Sequence, residues 1–393
     1  MRQELIVAGK EFRDHLTSRR FLAIFGALLL LAAVGMATGM DQYSKSLEDY
    51  KKSQAEYQQQ PWFKEQVAAL QKQIAEAEAS GAVEEAQALR QQLDMLLNPP
   101  MPSVLTVFAS LNSGSWVGGG YLSLILMLLS IALGFDLITR EREEGTLKSL
   151  LSHPVYRDAV INGKLLGALS ILVIVIGSVF MICLAIMLFF GVVPGADDLL
   201  RIAAYFLMAL LYCSVFFAIA ALFSALARTS AMSMLLVLGV VIAMIIIPTL
   251  SPKIADIIMG QPPEGKPILY KTAADVNSSI GEDDTMPEPV PPVIGWDPEI
   301  EKYYRAKQMI IDTISSVSPM YSFDNRISPA ILYKQGGDSG PVYALERVSP
   351  YIYREPSLWD SLAYVWTGIL ALVVELVAPL AASYAIFMRT DIR

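Results

Sequence analysis

Residues 119–148 read GGYLSLILMLLSIALGFDLITREREEGTLK. The first part, 119–138, is apolar over the length that crosses a bilayer as a helix, about 20 residues for 30 Å of hydrocarbon. It then breaks into Thr139-Arg140-Glu141-Arg142-Glu143-Glu144-Gly145-Thr146-Leu147-Lys148. Charge at that density cannot stay in hydrocarbon, so the chain leaves the membrane there. Five more apolar stretches lie at 21–40, 165–190, 199–226, 231–250 and 359–388. Lipid offers backbone groups no partner, so such stretches must cross as closed helices. The expected fold is an all-α polytopic membrane protein with six transmembrane helices.

Composition agrees with a body that lives in the cell membrane. Of 393 residues 54% are hydrophobic, and mean hydropathy is +0.46. Arg13, Arg19, Arg20, Arg140, Arg142 and Lys148 flank the spans on one side, as do Arg157, Lys164, Arg228 and Arg389. Basic flanks mark the cytoplasmic face, which places both termini and 139–164 inside and leaves 41–118 and 251–357 as long outer segments. The net charge of −8 then belongs to those outer segments and argues against nucleic acid as a partner. The first span lacks a convincing cleavage site and is expected to be retained as a signal-anchor.

The segments between spans have their own patterns. Residues 1–20 carry Leu5, Ile6, Phe12 and Leu16 near one face, with Lys10, Arg13, Arg19 and Arg20 around it, as in an amphipathic helix lying in the membrane interface. From Pro61 to Leu97, apolar residues recur at helical spacing with a break at Ser80-Gly81-Ala82, which predicts a helical hairpin stopped by Asn98-Pro99-Pro100. The segment 251–357 opens proline-rich and acidic, then shows helical spacing from Pro298 to Val317.

Catalytic chemistry finds no footing. The only histidines are His15 and His153, both on the basic side, so neither a zinc site nor a Ser-His-Asp set can be assembled in the outer segments. Cys183 and Cys213 fall inside spans and read as buried thiols, and the methionines are scattered as packing residues. Gly260-Gln261-Pro262-Pro263-Glu264-Gly265-Lys266 has phosphate-loop spacing, but Pro267 stands where a hydroxyl for Mg²⁺ belongs. Asn277-Ser278-Ser279 is a formal glycosylation acceptor. The chain is expected to bind no cofactor or metal.

The segment 139–164 carries the function. After the charged run, Gly145-Thr146 starts a short amphipathic stretch with Leu147, Leu150 and Leu151; His153-Pro154 ends it, and a new helix begins near Arg157-Asp158. Such a stretch, charged at one end and apolar on one face, can pass a push from a cytoplasmic partner into the spans. The run Glu141-Arg142-Glu143-x-Gly145-Thr146-Leu147, with Leu150-Leu151-Ser152-x-Pro154-Val155-x-Arg157 and Gly163-Lys164, resembles the signature of the membrane subunit of ABC-2-type (type V) ABC exporters. The entry helix, the six spans and the position of the run resemble that family too; the two long outer segments depart from its simpler members. The resemblance implies a coupling region at Arg140 to Thr146 with Leu147, Leu150 and Leu151, docked on separate ABC ATPase subunits that bind ATP and Mg. It also implies a second permease copy or a related permease, meeting near the second and fifth spans.

Two acids lie at membrane depth. Glu375, four residues before Pro379, should face the bundle interior, either bonded to a hydroxyl such as Ser178 or Tyr212 or to backbone freed by Pro379, or lining a substrate or ion path. Asp136 is expected to orient the coupling loop beside Arg140. Two alternatives to an exporter stay open: an ATP-independent carrier or channel, and a protein that uses an ATPase to move its outer segments, where an extracytoplasmic partner could bind, with no cargo crossing.

Overall fold

The computed structural model describes residues 2–98, 101–108, 111, 120–146, 156–261, 268–269, 294–295, 298–335 and 356–389. Six of its helices are long and apolar enough to cross a membrane. In chain order the elements are α1 (Arg2–Leu16), α2 (Arg19–Gln59), α3 (Pro61–Ala79), α4 (Val83–Leu97) and a 3₁₀ turn at Val104–Phe108. Then follow α5 (Tyr121–Gly134), α6 (Thr139–Glu143), α7 (Arg157–Phe189), α8 (Ala196–Leu226), α9 (Ser230–Met259) and α10 (Pro298–Ser315). A broken wedge of Pro319–Tyr321, a π-helical turn Ser322–Ile327 and Ser328–Leu332 precedes α11 (Leu358–Tyr364) and α12 (Trp366–Arg389). Ile268–Leu269 pairs antiparallel with Ile294–Gly295.

The spans differ from the expected bounds in ways that have local causes. The first does not end at 40: α2 runs unbroken for 41 residues, about 60 Å at 1.5 Å per residue, and carries its polar second half clear of any bilayer. It stops where Gln60 precedes Pro61, whose ring forces Gln60 to an extended ψ of 137°. Pro61 then sits in the first turn of α3, and α4 returns so that Gln54 Nε2 donates to Leu97 O at 3.1 Å. The last span is divided at Val365 into α11 and α12, and α11 opens with a Ser357–Asp360 capping box.

The most enclosed spans are α5 and α8, packed on each other and surrounded by α2, α7, α9 and α12. Gly134 makes that approach possible, because a Cβ there would fall 2.7 Å from Ala220 Cβ and 2.9 Å from Phe217 O. At the end of the bundle that carries α3 and α4, the hairpin end, the wedge fills the space between spans. Phe323 stacks on Tyr212 with centroids 4.9 Å apart and on Tyr205 at 5.7 Å. Arg201 is fully buried there, its guanidinium donating to Asp197 Oδ2, Ile331 O, Ser361 Oγ and Pro356 O. A buried guanidinium has to be met by several acceptors, and these draw α8, the wedge and the entrance to α11 together.

Candidate functional site: the charged brace at the basic end

At the opposite end, which carries most of the basic flanks, three distant segments converge. Gly163 and Gly167 lie four residues apart on one face of α7, and α1 crosses them closely. A Cβ on Gly163 would sit 2.6 Å from Val7 Cβ and 2.8 Å from Glu4 O; one on Gly167 would sit 2.9 Å from Ala8 O. Small residues at this spacing let helix backbones approach. The approach divides the apolar face read from sequence: Phe12 and Leu16 pack on the bundle, whereas Leu5 and Ile6 stay exposed.

That crossing buries Lys164, which keeps 2% of its side-chain exposure. Its Nζ lies 2.7 Å from Glu11 Oε1 on α1 and 2.9 Å from Glu141 Oε1 on α6. Lys10 Nζ stands 3.7 Å from the same Glu141 oxygen. Two carboxylates flanking one ammonium in a desolvated place form a strong but geometry-dependent contact, since loss of any member strands a buried charge. His15, one turn beyond Glu11, has its Nε2 4.0 Å from Glu11 Oε2, and burial pushes its pKa below the ordinary histidine value.

Other members of the charged run also bond within the chain, Glu143 from an exposed position. Arg142 Nη1 donates to Ala227 O at 2.5 Å, just past the end of α8. Glu143 receives the Ser230 N–H at 3.0 Å and the Ser230 hydroxyl at 2.6 Å, which caps the start of α9. Ile138 N–H and Thr139 N–H both donate to Ser224 Oγ, at 2.9 and 3.2 Å. Glu141, Arg142 and Glu143 are thus occupied within the chain, joining α1, α6, α7, α8 and α9. Arg140 and Glu144 remain outward, paired to each other at 3.1 Å. Gly145 adopts φ 71°, a left-handed turn for which glycine is suited, and Thr146 Oγ1 donates to Glu141 O at 3.3 Å. Leu147, Leu150 and Leu151 lie outside the described residues.

Asp136 does not bond the Arg140 side chain; it lines a cavity of about 580 Å³ bounded by α1, the start of α2, the end of α5 and the charged run. Glu375 is half-buried on α12, and its Oε2 is buried with no hydrogen-bond partner among the described residues. Neither expected hydroxyl reaches it, because Ser178 donates to Ile174 O of its own helix and Tyr212 donates to Ser123 O. No cluster of metal-ligating side chains occurs among the described residues. The phosphate-loop look-alike falls mostly outside them, at 262–267.

Sequence reasoning missed Glu11 and Lys164 as a pair, although Gly163-x-x-x-Gly167 beside Lys164 marked where a helix would cross. It also missed Asp324 at the hairpin end. The Asp324 Oδ2 accepts from Ser123 Oγ at 2.6 Å and Gly120 N–H at 3.1 Å, its Oδ1 is buried without a partner, and burial pushes its pKa up to about 7.

A family model described as ABC-2 family transporter protein matches residues 5–392. No curated protein matches the chain.

Proposed function

The chain belongs to the ABC-2 family of transporter proteins and is a multi-pass membrane permease of an ABC transporter; from this premise we propose that it is the permease of an ATP-driven exporter. Separate ATPase subunits bind ATP and Mg, engage the segment from Arg140 to Leu151, and move it when they close. Two permeases, identical or related, frame the path between them. The chain itself contributes no catalytic group.

The observation that carries this reading is the position of Lys164 between Glu11 and Glu141. A push on the loop after Glu144 enters α6, whose acid is locked to α7 and α1 by that lysine. Through Arg142 and Glu143 the same short helix holds the end of α8 and the start of α9. A displacement at one loop is thereby delivered to three spans or their ends and to the entry helix together, which is what switching a bundle between two arrangements requires. Docking falls to the outward Arg140 and Glu144 and to the apolar Leu147, Leu150 and Leu151, while Glu141 and Glu143 serve as the brace.

The test uses the permease with the ATPase with which it co-purifies. Neutralising the brace by Glu11→Gln, Lys164→Met and Glu141→Gln should leave the ATPase bound and hydrolysing while ATP-dependent transport into inverted vesicles falls. Undiminished transport would refute the role given to the brace.

A second reading draws support from α2, whose extension joins it to the α3–α4 hairpin as one jointed arm. On that reading the ATPase moves the arm against an outer partner and nothing crosses. Deleting 61–97 would then abolish function with assembly intact, whereas an exporter would keep ATP-dependent transport.

A further inference from the structure

The cavity of about 580 Å³ at the basic end has a mixed lining. Phe21, Leu133 and Leu137 are apolar members of its lining; Asp14, Arg19, Arg20 and Asp136 are charged ones. Much of the surrounding charge is already satisfied, Lys164 by its two acids, Arg140 by Glu144 and Glu143 by Ser230. Asp14, Arg19 and Arg20 are exposed and make no side-chain hydrogen bond or ion pair among the described residues, while Asp136 accepts only from backbone N–H, with His15, Arg140 and Arg20 acting on its charge. Two buried atoms of residues lining the same space, His15 Nε2 and Glu141 Oε2, also lack a hydrogen-bond partner. Desolvated polar atoms without partners are rare in native proteins and point to a bound group that supplies them.

The lining carries both signs of charge, and Arg20 and Arg140 lie near enough to Asp136 to act on its carboxylate. Arg19 and Arg20 form the first turn of α2, and Ser18 makes no side-chain cap there, so the open N–H groups of a 41-residue helix add to the two guanidinium groups. That side suits a phosphate. Asp136, Asp14 and the free oxygen of Glu141 suit a compact cation with several N–H donors. Leu5 and Ile6 on α1 are exposed apolar side chains beside basic ones, the pattern of a helix lying in a membrane interface, and Phe21, Leu133 and Leu137 add apolar lining to the cavity.

We propose that this cavity holds the phosphoethanolamine headgroup of a membrane phospholipid, its phosphate on Arg19, Arg20 and the start of α2, and its ammonium on Asp136, Asp14 and Glu141. A trimethylated choline head has no N–H to give those acids, and a glycerol head brings no positive charge to them. The volume falls within the range of small-molecule sites, about 300–1,000 Å³. The inference goes beyond the exporter reading and is tested on the permease alone, so either can fail without the other.

The test is retention and thermal stabilisation of the purified, delipidated chain in detergent, with added phosphatidylethanolamine, phosphatidylcholine or phosphatidylglycerol. Soluble phosphoethanolamine and inorganic phosphate serve as headgroup-only arms. Phosphatidylethanolamine should bind tightest, and Arg19→Gln with Arg20→Gln should weaken it about tenfold, the scale of one lost charge-assisted contact. Asp136→Asn should erase the preference over phosphatidylglycerol; Asp14→Asn, at an exposed position, repeats that test if the first variant misfolds. Equal binding of the three lipids, or retention untouched by loss of both arginines, would overturn the proposal. Phosphoethanolamine binding as tightly as the lipid would overturn the assignment to a membrane source.

Discussion

Gly163 on α7 lies so close to Val7 on α1 that a Cβ at residue 163 would stand 2.6 Å from the valine Cβ. The entry helix is therefore seated on the third span by shape, and the buried charges of Glu11 and Lys164 are brought together as a consequence.

Gly163→Ala should unseat α1, since the added methyl also meets the Glu4 carbonyl at 2.8 Å and backbone must move. Overpacking of this kind costs about 1–3 kcal/mol. Gly177→Ala on the same helix, where a Cβ meets nothing within 4 Å, is the control and should be neutral or slightly stabilising. Thermal unfolding of the two variants in the same detergent checks both.

Lys164→Met alone should strand two acids and destabilise by about 3–5 kcal/mol, as when one member of a buried ion pair is removed. Combining it with Glu11→Leu and Glu141→Leu should recover most of that loss, because an apolar replacement of the whole set removes the stranded charge. The comparison of unfolding midpoints distinguishes a brace from three independent surface charges.

The outward pair offers the complementary result. Exchanging its members by Arg140→Glu and Glu144→Arg keeps the i,i+4 contact and the fold but reverses the pattern shown to a partner. Co-purification of the ATPase should fall while the unfolding midpoint stays put.

Asp324 should make the hairpin end pH-sensitive. Its folded pKa of about 7 lies above the ordinary aspartate value of about 3.9, so the native state binds the proton more tightly than the unfolded chain does. Stability is then full below the unfolded pKa, falls as pH rises through the interval between the two values, and is flat above the folded one. Asp324→Asn keeps an oxygen for Ser123 and Gly120, and should remove this part of the pH dependence of thermal unfolding between about pH 4 and 7.

Six apolar spans, the entry helix and the hairpin at 61–97 were legible because each is a local pattern with helical period. The overrun of α2 was not, because residues 41–59 are polar all round and look like loop until the helix before them supplies a nucleus. The bonds that Glu141 and Glu143 make were not legible because their partners, Lys164 and Ser230, lie far along the sequence and meet them only after the chain has folded back. Lys164 and Glu11 are 153 residues apart, and the one local hint was the spacing of two glycines. For Glu375 the expected hydroxyl partner failed because Ser178 satisfies its own helix carbonyl at no cost in ordering.

The central claim, that ATP-driven movement of the charged run reaches the far end of the bundle through Lys164, is tested most directly by a distance. Spin labels at Tyr57→Cys on α2 and Tyr304→Cys on α10, both exposed positions, report across the hairpin end, and Cys183 and Cys213 are buried away from label. In the complex with its ATPase, the distance distribution should shift on ATP binding. With Glu11→Leu, Lys164→Met and Glu141→Leu it should stay at the ATP-free distribution while the ATPase remains bound. An unchanged distance in the wild-type complex, or a full shift in the brace-free variant, would contradict the account.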